Sequence, residues 1–177
     1  MKYNIFYSLL IPILFTNNFY SQKLIENKID EFTKQSIQKT SWETLFSTMK
    51  GTSYFRISKI DNTLFIQLKF RLNEGFETKS FSIEKDQELM FKTKEGEIIT
   101  LKNLKSTITC VGCGAISFNA SQALGIEVSY QINEEQFNIL KNSFLEKTRI
   151  YTDIGYKEFE IKKKNALLFT DSLKLIN

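Results

Sequence analysis

Along this chain, apolar and polar residues alternate more often than they recur at helical spacing. The clearest case is Thr63 to Leu72, where Leu64, Ile66, Leu68, Phe70 and Leu72 interleave with Phe65, Gln67, Lys69 and Arg71. A period of two sends successive side chains to opposite faces. The segment therefore predicts a strand with one face on a core and the other largely in water. Residues 54–60 alternate in the same way, and Asp61-Asn62 suits the hairpin turn between them because both residues tolerate positive φ. Residues 79–84 and 87–94 form a second candidate pair, and Glu95-Gly96 turns the chain into a further strand over 97–104. Residues 147–151 and 156–161, joined by a turn at Asp153 to Gly155, predict another hairpin.

Helical spacing is confined to a few places. Asn133 followed three residues later by Gln136 is a capping-box arrangement, and Glu134 and Glu135 complement the positive end of a helix. Phe137, Ile139, Leu140 and Phe144 supply its apolar stripe. Ala166, Phe169, Leu173 and Ile176 predict a second amphipathic helix. Lys162, Lys163 and Lys164 oppose the dipole of a helix start, which sets its beginning near Asn165. Ile25, Ile29 and Phe32 leave room for a short N-terminal helix. The expected class is α+β: mainly antiparallel β-sheet of about six to nine strands, with two C-terminal amphipathic helices covering a face.

The N-terminus reads as an export signal. Lys2 gives a positive start, Ile5 to Phe15 an apolar run, and Thr16 to Ser21 a polar stretch for cleavage. The apolar run is about half the roughly 20 residues needed to span a bilayer. The expectation is a signal peptide over 1–21 and one α+β domain over 22–177, periplasmic or secreted, with no stable membrane span after cleavage.

Composition narrows the chemistry. There is no histidine among 177 residues, which removes Ser-His-Asp and Cys-His catalysis and histidine-ligated metals. Lys and Arg total 24 against 20 Asp and Glu. The signs are interspersed, so no footprint for nucleic acid emerges. The one proline, Pro12, lies in the signal, so the domain offers no cis-proline turn.

Cys110 and Cys113 are the only cysteines, spaced C-x-x-C among glycines. In an oxidising compartment such a pair predicts a structural disulfide across the Val111-Gly112 turn. A redox centre, a zinc half-site and two buried free thiols compete with that reading. The redox centre wants a helix after the motif and a cis-proline beside it. Zinc would have to recruit carboxylates. The S-x-x-K matches at Ser36 to Lys39 and Ser47 to Lys50 have no S-D-N or K-T-G companion, so they are read as chance. Trp42, Tyr54, Tyr151 and Tyr156 are the candidate stacking residues for a sugar or peptide, with core packing as the competing role.

Several phrases resemble those of small exported proteins of Bacteroidota-type Gram-negative bacteria: "DEFT" (30–33), "TSWETL" (40–45), "SYFRI" (53–57), "CVGCGAISF" (110–118), "INEEQFNILK" (132–141) and "TRIYTDIGY" (148–156). The signal ending "FYSQ" is similar too. The resemblance implies an exported location and the domain extent, and it brings no activity, metal or cofactor. The functional expectation is a non-catalytic binding or interaction module with a protein, peptide or glycan partner in the cell envelope. The alternative is a thiol–disulfide oxidoreductase-like protein using Cys110 and Cys113.

Overall fold

A computed structural model of the chain describes residues 22–73, 80–116 and 123–176, so the expected signal over 1–21 lies outside the described residues. Its centre is the hairpin predicted from strict alternation. Strands β4 (Gly51–Ile60) and β5 (Thr63–Leu72) pair antiparallel from Gly51 opposite Leu72 to Ile60 opposite Thr63. Asp61 takes the turn at φ 52°. Around this hairpin are β1 (Leu24–Ile29), β2 (Ser36–Thr40), β3 (Glu43–Ser47), β10 (Cys110–Val111) and β11 (Leu124–Ile132). They form a seven-stranded sheet in the order β1-β2-β4-β5-β11-β10. Strand β3 lies beside β4 on the same side as β2, which takes Ser58 to Ile60 while β3 takes Thr52 to Phe55.

A second sheet runs β13 (Gly155–Glu160), β12 (Leu145–Thr152), β7 (Glu88–Thr93), β8 (Ile98–Lys102). A short pair, β6 (Ser82–Ile83) with β9 (Thr107–Ile108), completes the sheets among the described residues. The two helices are α1 (Glu134–Asn142) and α2 (Lys163–Lys174). Helix α1 starts at the expected capping box, with Gln136 N–H donating to Asn133 Oδ1 at 2.8 Å and Asn133 N–H to Gln136 Oε1 at 3.0 Å.

The α+β class with mainly antiparallel sheet is what the structure has, but the layout differs from the expected one. Thirteen strands occur among the described residues, in three sheets rather than one of six to nine. Helix α2, one side of it exposed, packs as a wedge against both large sheets. The Phe169 ring lies 4.9 Å from Phe55 on the first sheet and 5.3 Å from Phe91 on the second. Where the wedge stops, the sheets meet directly: Phe159 stacks on Phe46 at 4.0 Å and meets Phe70 edge-on at 5.8 Å. Phe46, Phe55, Phe70, Phe91, Phe159 and Phe169 are thus the material that joins the layers. One continuous core draws on both large sheets and both helices.

Three local expectations are corrected. Ile25 and Ile29 lie on a strand, not a helix, because the segment gains a ladder with β2 that a marginal eight-residue helix would forgo. Of the expected pair 79–84 with 87–94, residue 79 lies outside the described residues, and 80–84 do not pair with 87–94. Strand β6 pairs with β9, while β7 sits between β8 and β12. The buried Asn103 amide holds the crossover by donating to Ile83 C=O at 3.0 Å, Glu84 C=O at 3.2 Å and Lys105 C=O at 2.5 Å. Helix α2 begins at Lys163, before Asn165, whose side chain instead donates to Leu45 C=O at 3.1 Å. Among the described residues no helix is long and apolar enough to cross a membrane.

Candidate functional site

Cys110 and Cys113 form a disulfide with Cα atoms 5.4 Å apart. The bridge closes a turn at the end of β10, an edge of the first sheet, and the next element among the described residues is the strand β11. Gly112 supplies the positive φ of the turn, 80°. Gly114 meets the backbone of Gly125 so closely that a Cβ on Gly125 would collide with Gly114 Cα and N. Lys69 clamps the far side of the turn by donating from Nζ to Ala115 C=O at 3.0 Å. The glycines of the motif therefore serve a turn and a backbone crossing.

That lysine leads to Trp42. On β4, Phe55 and Ile57 face the core, which sends Tyr54 and Arg56 to the opposite, outer face. On β5 and β11, Gln67, Lys69, Glu127 and Ser129 join them by register. Trp42, at the break between β2 and β3, has Arg56 at 4.5 Å and Lys69 at 4.9 Å from its ring centroid. Arg56 Nε donates to Gln67 Oε1 at 2.6 Å, and Gln67 Nε2 to Ser129 Oγ at 3.2 Å. Glu127 lies 3.9 Å from Arg56 and 3.7 Å from Lys69. Burial lowers the Arg56 pKa, opposed by the charges of Glu127 and Glu26. Each polar head in this network is engaged by another residue of the same chain. Its evident chemistry is to pin the half-buried Trp42 and the disulfide turn onto the sheet.

Tyr151 and Tyr156 stand on the other sheet, so the four aromatic candidates do not share one surface. Register places Tyr156 opposite Tyr151 and Glu158 opposite Arg149. The two tyrosine rings are 5.7 Å apart. The Arg149 guanidinium lies 4.5 Å from the Tyr156 ring, pairs with Glu158, and donates to the Tyr151 hydroxyl at 3.3 Å. Glu158 and then Tyr151 raise the Arg149 pKa, so it is cationic at every working pH. Beside this cluster Met90, Ile98 and the stems of Lys92, Lys147 and Arg149 line a small, mainly apolar groove of about 120 Å³. Tyr156 is 54 % exposed and Ile98 63 %, so the apolar content of this face meets solvent.

Arg149, Glu158, Met90 and Ile98 were not singled out from sequence. Alternation in "KTRIY" does put Arg149 on the face of Tyr151, a signal that was available. Met90 and Ile98 join only through the β7–β12 and β7–β8 registers, which no local pattern encodes. Among the described residues no three Cys, Asp or Glu side chains converge as metal ligands. No protein-family model, curated protein or solved structure matches this chain.

Proposed function

We propose that the protein is an exported, non-catalytic binding module that acts in the periplasm or beyond. Its docking surface, on this reading, is the outer face of the four-stranded sheet around Tyr151, Tyr156 and Arg149. The observation that carries the reading is the Tyr151–Tyr156–Arg149 cluster, with Tyr156 exposed and Tyr151 and Arg149 half-buried, beside the Met90–Ile98 groove. Tyrosine, arginine and methionine are the residue types enriched at protein interfaces, and a rigid strand face presents them at little entropic cost. The groove is apolar and narrow, which suits an aliphatic side chain of a protein or peptide better than a sugar ring. A glycan is the competing ligand, since tyrosine faces also stack on sugars.

The second reading, a thiol–disulfide enzyme using Cys110 and Cys113, has weaker support. A reactive thiol is acidified by a helix N-terminus or a nearby cation; this pair ends a strand, is framed by Gly112 and Gly114, and the nearby Lys69 ammonium is engaged by Ala115 C=O and Glu127.

The test compares wild type with Tyr156→Ala and Ile98→Ala for affinity toward the partner captured from envelope extract. Both variants change exposed positions and should stay folded. A hot-spot loss of about 2 kcal/mol corresponds to roughly thirtyfold weaker binding. Unchanged affinity in both would overturn the assignment of this face.

A further inference from the structure

Strand β1 is the open edge of the seven-stranded sheet: among the described residues it has a strand neighbour, β2, on one side only. Ile25 is 57 % exposed and Ile29 67 % exposed along it, and Phe32 just past its end is 95 % exposed. A row of backbone donors and acceptors carrying exposed apolar side chains is a template for another strand. We propose that β1 pairs antiparallel with β1 of a second copy of this chain, about a two-fold axis on Asn27, joining the two seven-stranded sheets edge to edge.

The backbone limits which registers are open. Within the β1–β2 ladder Lys28 stands opposite Ile37, Asn27 opposite Gln38 and Ile29 opposite Ser36. At its end Asp30 N–H donates to Gln35 C=O at 2.8 Å. Bonding in an antiparallel ladder alternates along each strand. Asp30 and Lys28 therefore direct their backbone groups at β2, while Ile29 and Asn27 direct theirs at the open edge. A symmetric partner must match like with like, so the axis falls on a residue, and the axes nearest the middle of β1, on Glu26, Asn27 or Lys28, keep the longest ladder.

Charge decides among the three. An axis on Glu26 sets Glu26 against its own copy. An axis on Lys28 sets Lys28 against its own copy and Glu26 against the second copy's Asp30. An axis on Asn27 sets Glu26 opposite the second copy's Lys28, twice, and Ile25 opposite its Ile29, twice. Opposite charges and apolar pairs across strands stabilise, and like charges destabilise. Of the three, the Asn27 register alone sets no like charges opposite each other; its outermost pair is Leu24 with the second copy's Asp30. Glu26 already sits 3.0 Å from Lys28 and 2.6 Å from Lys39 within the chain, so the interface closes a ring of alternating charge. The β1–β2 register shifts between Leu24 and Glu26, so the regular part of the new ladder runs over Glu26, Asn27 and Lys28, with the Ile25–Ile29 pairs at its ends.

The test is symmetric cross-linking. Asn27 is exposed, and the two native cysteines are already bonded to each other, so an Asn27→Cys variant carries one available thiol. Directly opposed residues of a bonded pair have Cα atoms about 5.5 Å apart, within disulfide range. Under mild oxidation Asn27→Cys should convert mostly to a covalent dimer of doubled mass. Glu26→Cys and Lys28→Cys should each stay monomeric alone and cross-link when mixed. In the unmodified background, Lys28→Glu should weaken self-association at least tenfold, and Glu26→Lys with Lys28→Glu and Lys39→Glu, which keeps an opposite charge beside residue 26 within the chain, should restore it. A folded Asn27→Cys protein that stays monomeric up to millimolar concentration would overturn the proposal. So would equal self-cross-linking of all three cysteine variants.

Discussion

Removing the Cys110–Cys113 disulfide should cost little, and the structure says how little. The bond joins residues with a sequence separation of 3. For so short a loop the chain-entropy relation gives about 2 kcal/mol at 25 °C, near the low end for disulfides. The turn keeps other restraints once the bond is gone. Gly112 N–H still donates to Ala123 C=O at 2.8 Å, Ala115 N–H to Gly112 C=O at 3.0 Å, and Lys69 still holds Ala115. The double variant Cys110→Ser with Cys113→Ser should therefore unfold cooperatively in urea with an unchanged m value and a ΔG lower by about 2 kcal/mol. For a chain of this size that is a Tm lower by roughly 4–8 °C. A loss above about 4 kcal/mol, or a changed m, would refute the view that the bridge is a local pin. The wild-type protein tests the redox alternative: a structural bridge should resist reduction, with a potential below about −300 mV, whereas exchange with a glutathione buffer would favour the oxidoreductase reading.

Other perturbations probe other links. Phe169→Ala empties the wedge between the sheets and should lower ΔG of unfolding by about 3–5 kcal/mol, while Leu167→Ala on the exposed side of the same helix should change it by under about 0.5 kcal/mol. Gly125→Ala drives a Cβ into Gly114, so the disulfide turn must shift; about 1–3 kcal/mol of stability and the exchange protection of the Gly112 amide should both fall. Asp30 has its carboxyl pKa lowered by the Thr33 N–H and hydroxyl and by the Phe32 N–H. A depressed folded-state pKa means the stabilisation is full above the ordinary aspartate range and is lost as pH falls through the lower, folded value. Carboxyl NMR should show Asp30 titrating below an ordinary aspartate, with the Thr33 amide shift moving at the same pH; titration at the ordinary value would contradict the bonded turn.

What could be read from sequence was local. The β4–β5 hairpin follows from ten strictly alternating residues and a turn dipeptide that tolerates positive φ. The α1 start follows from a capping box whose two bonds are reciprocal. The β12–β13 hairpin was legible for similar reasons. Partner choice was not legible, because a period of two states which face a residue takes and is silent on which strand lies beside it. The β6–β9 pairing and the place of β7 between β8 and β12 are consequences of that silence. The α2 wedge was hidden too: Phe169 belongs to an ordinary amphipathic stripe, and nothing in that stripe says that both flanks of the ring meet a sheet.

The candidate site was half legible for the same reason. The cysteine pair and its glycine turn were visible as a spacing. Trp42, Tyr54, Tyr151 and Tyr156 were visible as residue types, but the fold sends two to each sheet. Trp42 is consumed by Arg56 and Lys69, while Tyr156 is left facing solvent beside Arg149.

The claim that the four-stranded sheet carries the docking face can be tested by photo-cross-linking in the native envelope. A photoreactive residue replaces Ile98 in one protein, Tyr156 in a second, and Tyr54 on the outer face of the other sheet in a third. The account predicts one shared covalent adduct from the Ile98 and Tyr156 positions and none from the Tyr54 position. An adduct from the Tyr54 position alone would contradict it.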